Sequence, residues 1–152
     1  MRPLTIALTL AACIAAGPAA AADKDDAWGR VKQFVDAFNK GDAKGAVATC
    51  ADQAVVIDDF APYLWSGADA CGRWAADFDA DAKKRGVEPL NVTLGKARHV
   101  DVVGDRAYVV APASYSYKLK GKPRKESGAT MTLALQKSGS DWKIVAWSWS
   151  KP

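Results

Sequence analysis

The second half of the sequence is divided by short turns into four segments that are rich in β-branched and aromatic residues. The segments are residues 90–103, 106–119, 127–136 and 142–150. Gly104-Asp105 and Ser138-Gly139 lie in turns between them, and such composition is typical of strands joined by hairpins. Because turns this short join neighbouring antiparallel strands, the pattern predicts an antiparallel meander.

The first half contains three segments with helical periodicity. Between residues 25 and 39, apolar side chains such as Trp28 and Val31 recur every three or four residues. Asp42 is placed to cap a short second helix at residues 43–50, and a third helix is predicted for residues 69–85. A short strand at residues 54–57 lies between them. Helices followed by a run of strands indicate an α+β fold, with three N-terminal helices packed on a strongly curved, mainly antiparallel sheet.

The first 22 residues have the composition of a secretory signal peptide. A positive charge at Arg2 precedes an apolar run over residues 4–16, and an Ala-Ala-Ala sequence ends at Ala22. The apolar run is shorter than the roughly 20 residues that a membrane-spanning helix needs. The sequence therefore predicts cleavage after Ala22 and one periplasmic or secreted domain, residues 23–152.

The three cysteines bear on export. Cys13 ends a Leu-Ala-Ala-Cys sequence that resembles a lipobox, so a lipoprotein anchored at Cys13 is the alternative to cleavage after Ala22. Cys50 and Cys71 remain in the predicted mature chain, and an oxidising compartment favours a disulfide between them over two buried free thiols. With His99 as the single histidine, no metal site is predicted.

The charge of the chain is only mildly basic. The sequence has 21 Lys and Arg residues and 17 Asp and Glu residues, a formal net charge of +4. The densest basic group, between Lys118 and Lys125, surrounds a Gly-Lys-Pro turn. It is interpreted as a solvated hairpin tip, and no nucleic-acid partner is predicted.

The order of these elements points to a known superfamily. Together with Gly41-Asp42 between the first helices and the final Trp-Lys-Ile-Val-x-x-x-Trp-Ser at residues 142–150, it resembles the nuclear transport factor two-like superfamily, which includes SnoaL-like polyketide cyclases and ketosteroid isomerase. The resemblance implies a cone, formed by a bent sheet and closed by three helices around an apolar cavity. Proteins of this superfamily include isomerases, dehydratases, epoxide hydrolases, cyclases and noncatalytic modules.

Asp58 is the catalytic candidate that the resemblance implies. Residues 51–58 resemble the ketosteroid isomerase segment Ala-Asp-Asp-Ala-x-Val-x-Asp, which ends at the general base. An acid facing an apolar cavity would have a raised pKa and could move a proton beside a carbonyl. Alternatively, Asp58 accepts backbone N–H bonds in the turn that follows. Phe34 and Thr132 stand where the resemblance places the oxyanion donors, so steroid isomerisation by the known mechanism is not expected.

An aromatic pocket is the predicted binding site. Strand alternation in residues 142–150 puts Trp147 and Trp149 on one face, with Trp142 and Ile144 on the other. The resemblance implies that the first face points into the cone. The predicted pocket residues are Phe34, Phe38, Tyr63, Trp65, Trp74, Tyr108, Trp147 and Trp149. The alternative is that these rings fill the core and leave no void.

The opposite sheet face is predicted to form a homodimer. Alternation assigns Trp142 and Ile144 to it, and an apolar outer sheet is the usual dimer surface in this superfamily. It would also carry some of Tyr115, Tyr117, Met131 and Leu133.

Three functions remain open at this point. The leading hypothesis is an exported small-molecule-binding or accessory domain that takes a small hydrophobic or aromatic molecule and needs no cofactor. One alternative is a lyase or isomerase that uses Asp58 as general base on an apolar carbonyl or epoxide. The other is a dimeric interaction module with a filled cone.

Overall fold

Three helices and seven strands form the structure, a computed structural model that describes residues 18–152, and the third helix follows the second strand. Cys13 and residues 1–17 of the predicted signal peptide lie outside this range. The helices are α1 (Pro18–Asn39), α2 (Ala43–Ala48) and α3 (Ala70–Arg85). The strands are β1 (Cys50–Ile57), β2 (Leu64–Ala68), β3 (Val87–Leu94), β4 (His99–Val103), β5 (Arg106–Leu119), β6 (Lys122–Ser138) and β7 (Asp141–Ser150).

All seven strands belong to one sheet with the order β2-β1-β7-β6-β5-β3, and β4 also pairs with β5. Every pairing is antiparallel except that of β1 with β7. Bulges interrupt several of these ladders, and each bulge bends its strand. The arrangement confirms the predicted α+β fold, in which three N-terminal helices pack on a curved, mainly antiparallel sheet.

Local sequence signals set the ends of the shorter helices. The side chain of Asp42 accepts a hydrogen bond of 2.8 Å from the backbone N–H of Gly45, which caps α2 as predicted. Helix α3 ends in Lys83, Lys84 and Arg85, whose charges suit the negative end of the helix dipole. Gly86 then takes the left-handed conformation, with φ of 69°, and stops the helix.

The final strand departs from simple alternation. Ala134 pairs with Ala146, but Leu135 pairs with Ile144, so Val145 is an extra residue that forms a β-bulge. Trp142 and Ile144 consequently lie on the same face as Trp147, and they are 2% and 0% exposed. The expectation that Trp142 and Ile144 face outward is wrong, because it assumed an uninterrupted strand.

The neighbouring strand corrects the predicted outer face further. Met131 pairs with Trp149 and Leu133 with Trp147, and both are buried. They therefore belong to the inner face of the sheet, beneath the helices. The alternate residues of β6, such as Thr132 and Ala134, are half-buried on the other face.

We define the outer face by two rows of residues that pair from strand to strand. The first row is Tyr108, Ala134, Ala146, Val55 and Ser66, and the second is Val110, Thr132, Ser148, Ile57 and Leu64. Ile57 and Leu64 are 50% and 54% exposed. The outer face thus carries exposed apolar side chains, but not those that simple alternation assigned to it.

A disulfide joins Cys50, at the start of β1, to Cys71, in the first turn of α3. Both cysteines are buried. The predicted pairing is confirmed, and it fastens the helix that follows β2 to the strand that precedes it.

No helix within residues 18–152 is long and apolar enough to cross a membrane.

Candidate ligand cavity

A cavity of about 100 Å³ lies between helices α1 and α3 and the inner face of the sheet. We call it the aromatic cavity, because nine of the described aromatic side chains line it. They are Phe34, Phe38, Phe60, Trp74, Phe78, Tyr115, Tyr117, Trp147 and Trp149. Aliphatic contacts come from Val35, Val87, Val92 and Met131. The walls are therefore mainly apolar and aromatic.

Helical spacing brings the rings of two helices together. Phe34 and Phe38 are four residues apart on α1, and Trp74 and Phe78 are four apart on α3, so each pair shares one helix face. The ring centroids of Phe38 and Phe78 are 5.3 Å apart in an edge-to-face arrangement. The Trp74 and Trp147 rings meet at 4.6 Å, nearly perpendicular, and join the helices to β7.

Asp58 lies immediately after β1 and lines this cavity. Its Oδ2 accepts a hydrogen bond of 2.8 Å from the indole N–H of Trp74, and its Oδ1 accepts one of 2.7 Å from the backbone N–H of Asp59. The carboxylate thus combines two arrangements that the sequence presented as alternatives, since it accepts a turn N–H bond and also lines the cavity.

Burial raises the pKa of Asp58 to about 6 from an ordinary value of 3.8. The cause is loss of hydration around the charged carboxylate. The Trp74 hydrogen bond and the charge of Lys151 act in the opposite direction, while the charge of Glu126 adds to the increase. A carboxyl that titrates near pH 6 can hold or accept a proton under mild conditions.

Two buried hydrogen-bond donors of the cavity lining have no partner among the described residues. They are the hydroxyl of Tyr115 and the indole N–H of Trp147. Burial, together with the negative charge of Glu126, raises the pKa of Tyr115 to about 12, so its hydroxyl keeps its proton. The hydroxyl of Tyr117, the neighbouring inward tyrosine, donates over 3.4 Å to Glu126.

The two cations that line the cavity are each paired with a carboxylate. Nε of Arg85 lies 2.7 Å from Oδ2 of Asp81, and Nζ of Lys151 lies 2.5 Å from Oδ2 of Asp59. Within residues 18–152, no group of three or more His, Cys, Asp or Glu side chains is arranged to hold a metal ion.

The structure brings together most of the residues predicted for the site. Phe34, Phe38, Trp74, Trp147 and Trp149 line the aromatic cavity, and so does Asp58.

Three other predicted pocket residues lie elsewhere. Tyr63 is 60% exposed in the turn after β1, and Tyr108 is 48% exposed on the outer face. Trp65 is buried beside Phe60, and its indole N–H donates over 2.8 Å to Oδ2 of Asp77. Strand alternation points Tyr108 away from the cavity, because its buried neighbour Val109 faces inward, whereas Tyr63 lies in a turn outside the strands.

Sequence reasoning missed several lining residues. Phe78 could have been found, because it lies one helical turn after Trp74. Tyr115 and Tyr117 were not assigned individually to either face, yet they continue the inward alternation of Val109 and Ala113 along β5. Glu126 lies beyond a register shift beside Gly128 in β6, and this shift turns it inward.

Comparison with known proteins supports the fold described above. A family model described as a SnoaL-like domain matches residues 30–152. No curated protein matches the chain by sequence.

Solved structures with the same fold are distant in sequence. A ketosteroid isomerase-like protein from Erwinia carotovora atroseptica aligns with a TM-score of 0.70 and 18% identity, over 85% of this chain and 95% of that one. A protein of unknown function from Mycobacterium tuberculosis aligns with a TM-score of 0.71 and 15% identity, over 90% of this chain and 76% of that one. A nuclear transport factor two-like protein with a cystatin-like fold from Novosphingobium aromaticivorans aligns with a TM-score of 0.68 and 15% identity, over 86% of this chain and 82% of that one.

Proposed function

Starting from the fact that this chain belongs to the SnoaL-like domain family, we propose that it binds a small organic molecule with an apolar body in the aromatic cavity. The observation that carries the proposal is the cavity itself. Nine aromatic side chains surround it, yet about 100 Å³ stays open between them. An open cavity favours a ligand-binding role over an interaction module with a filled cone.

The size and walls of the cavity indicate the size of the ligand. An apolar cavity of roughly 150 Å³ is large enough to accept benzene. The aromatic cavity is of the same order and suits a molecule about as large as one ring or a short branched chain. Its apolar surface would leave water on binding, which contributes roughly 25 cal/mol for each Å² buried.

The unpartnered donors of Tyr115 and Trp147 also favour a ligand. A buried donor without an acceptor costs about 1–3 kcal/mol. A ligand oxygen, or a water molecule held beside the ligand, would satisfy these donors and would orient the ligand within apolar walls.

Binding can be tested by ligand-observed nuclear magnetic resonance and calorimetry with indole and phenol as probes. Both should bind the wild-type protein and compete with each other. Val92→Phe should fill the cavity and weaken binding at least tenfold, because Val92 lines it. Val102→Phe is the matched control, since this half-buried valine packs against the core outside the cavity lining. Lack of binding by the wild type, or equal binding by Val92→Phe, would overturn the proposal.

Proton transfer at a carbon beside a carbonyl is a second candidate, favoured by the raised pKa of Asp58 at the cavity wall. The carboxylate would take the proton from carbon, the electron pair of the C–H bond would form the C=C bond of an enolate, and the π pair of the carbonyl would move to its oxygen. The hydroxyl of Tyr115 or the N–H of Trp147 would donate a hydrogen bond to that oxygen.

Deuterium exchange tests this second candidate. Small ketones in D₂O should exchange their α-protons faster with the protein than without it, and Asp58→Asn should abolish the acceleration. Asp52→Asn is the control, because Asp52 is an exposed acid of β1, the strand that Asp58 follows. Equal exchange rates for the wild type and Asp58→Asn would exclude Asp58 as the base.

A further inference from the structure

The charged side chains that line the aromatic cavity do not balance one another. Arg85 is paired with Asp81, and Lys151 is paired with Asp59. The remaining carboxylates of the lining, Asp58 and Glu126, make no salt bridge with any residue in the described range 18–152. The cavity therefore has two acidic groups outside any salt bridge, and three carboxylates line it against two cations.

Asp58 and Glu126 line the same cavity from different parts of the fold. Glu126 is paired with Tyr115 across β5 and β6, whereas Asp58 lies after β1. The charge of Glu126 raises the pKa of Asp58, which the charge of Lys151 lowers, and the charges of both acids raise the pKa of Tyr115, which the charge of Arg85 lowers. The charged and titratable groups that face this space are Asp58, Asp59, Arg85, Tyr115, Tyr117, Glu126 and Lys151.

The rings around these acids add a second source of negative potential. The face of an aromatic ring attracts a cation within about 6 Å of its centroid, and tryptophan does so most strongly. Trp74, Trp147 and Trp149 all line the cavity. Aromatic faces together with uncompensated carboxylates form the chemistry that recognises alkylated ammonium groups.

We propose that the ligand of the aromatic cavity is an organic cation, an alkylammonium ion held between the ring faces and the carboxylates of Asp58 and Glu126. The inference rests on the binding function proposed above and names the class of ligand. The apolar carbon atoms of the ion contact the rings, and its positive charge offsets the excess of carboxylates over cations in the lining.

The basic residues of the hairpin between β5 and β6 do not oppose this assignment. Lys118, Lys120, Lys122, Arg124 and Lys125 are absent from the described lining of the cavity. Their effect on a bound ion falls off over a Debye length, about 8 Å at physiological ionic strength. The paired and unpaired charges of the lining itself decide which ligand is favoured.

Two molecules that differ only in charge test the inference. Choline and 3,3-dimethylbutan-1-ol have the same shape, but choline carries a quaternary nitrogen in place of a carbon atom. Calorimetry at pH 7.5 should give at least tenfold tighter binding for choline. Glu126→Gln should reduce this ratio several-fold while the neutral alcohol binds as before. Glu88→Gln is the matched control, because Glu88 pairs with Lys118 outside the cavity lining and should leave the ratio unchanged.

The pH dependence provides a second readout. Choline affinity should rise between pH 5 and pH 7.5 as Asp58 loses its proton, and affinity for the neutral alcohol should not rise with it. Equal or tighter binding of the alcohol would overturn the inference and leave the proposed binding function standing. If the wild type bound neither molecule and also failed to bind indole, both proposals would fall.

Discussion

The indole N–H of Trp74 donates a hydrogen bond of 2.8 Å to Oδ2 of Asp58. The Trp74 side chain thus lines the aromatic cavity and also binds the carboxylate of Asp58. This hydrogen bond joins α3 to the end of β1. It also lowers the pKa of Asp58, which burial raises, because the bond stabilises the charged carboxylate.

Replacing Trp74 with phenylalanine should therefore raise the pKa of Asp58 above 6, because an aromatic ring is kept at this position but the indole N–H donor is lost. The pKa can be followed from the ¹³C chemical shift of the carboxyl carbon during a pH titration. Trp65→Phe is the matched control, because it removes a similar bond of 2.8 Å to Asp77 and should leave Asp58 unchanged. An unchanged or lower pKa in Trp74→Phe would contradict the assignment.

Asp58 should make the folded protein less stable as the pH rises from about 4 to about 6. Because its pKa is raised in the folded state, the native protein holds this proton more tightly than the unfolded chain does. Relative to Asp58→Asn, the wild type should lose on the order of 1–3 kcal/mol of unfolding free energy between pH 4 and pH 7.5. Urea unfolding at both pH values measures this difference. An Asp52→Asn comparison should show no such trend, and a constant difference for Asp58→Asn would refute the expectation.

Removing the disulfide should destabilise the protein by about 3 kcal/mol, because the bridge closes a loop with a sequence separation of 21. Cys50→Ala with Cys71→Ala tests the loss by urea unfolding. Wild-type protein treated with a reductant is the control that keeps both side chains in place. Thiol labelling of unfolded, unreduced protein should detect neither cysteine, and labelling of both would show that the bridge does not form in solution.

The outer face is our proposed homodimer surface. Ile57 and Leu64 pair with each other and are each about half exposed there. Ile57→Lys or Leu64→Lys should convert a dimer to a monomer in sedimentation velocity, because a charge would be buried against an apolar partner. Val103→Lys, at an 81% exposed valine of β4, should leave the dimer intact. A monomeric wild type would rule the surface out.

Export remains our proposal for the location of the protein, and the confirmed disulfide supports it because disulfides persist in oxidising compartments. Intact mass spectrometry of protein from a periplasmic fraction should show a chain that begins at Asp23. A lipid-modified chain beginning at Cys13 would support the lipoprotein alternative instead.

Most of the order of the elements could be predicted because it depends on local signals, although the single segment expected at residues 90–103 is two strands, β3 and β4. The periodicity of α1, the cap at Asp42 and the turn residues between strands act within a few positions of the chain. The pairing of Cys50 with Cys71 also followed from simple reasoning, since only these two cysteines remain after the predicted cleavage.

The faces of the long strands could not be predicted in the same way. A bulge inserts one residue into a ladder and reverses every side chain beyond it, but no residue type marks its position. For this reason Trp142 and Ile144 were assigned to the wrong face, and Glu126 was not connected with the site. The double role of Asp58 was also hidden, because it depends on Trp74 from a different element.

The bulge at Val145 reconciles an odd spacing of tryptophans with a single inner face. Trp142 and Trp147 are five positions apart, and they share that face because the bulge takes up the extra residue. Deleting Val145 would leave the two indoles four positions apart on an evenly alternating strand, so both would stay inward while the local bend of the strand would be lost. The extra codon therefore shapes the curvature of β7 rather than the choice of side chains that its inner face presents.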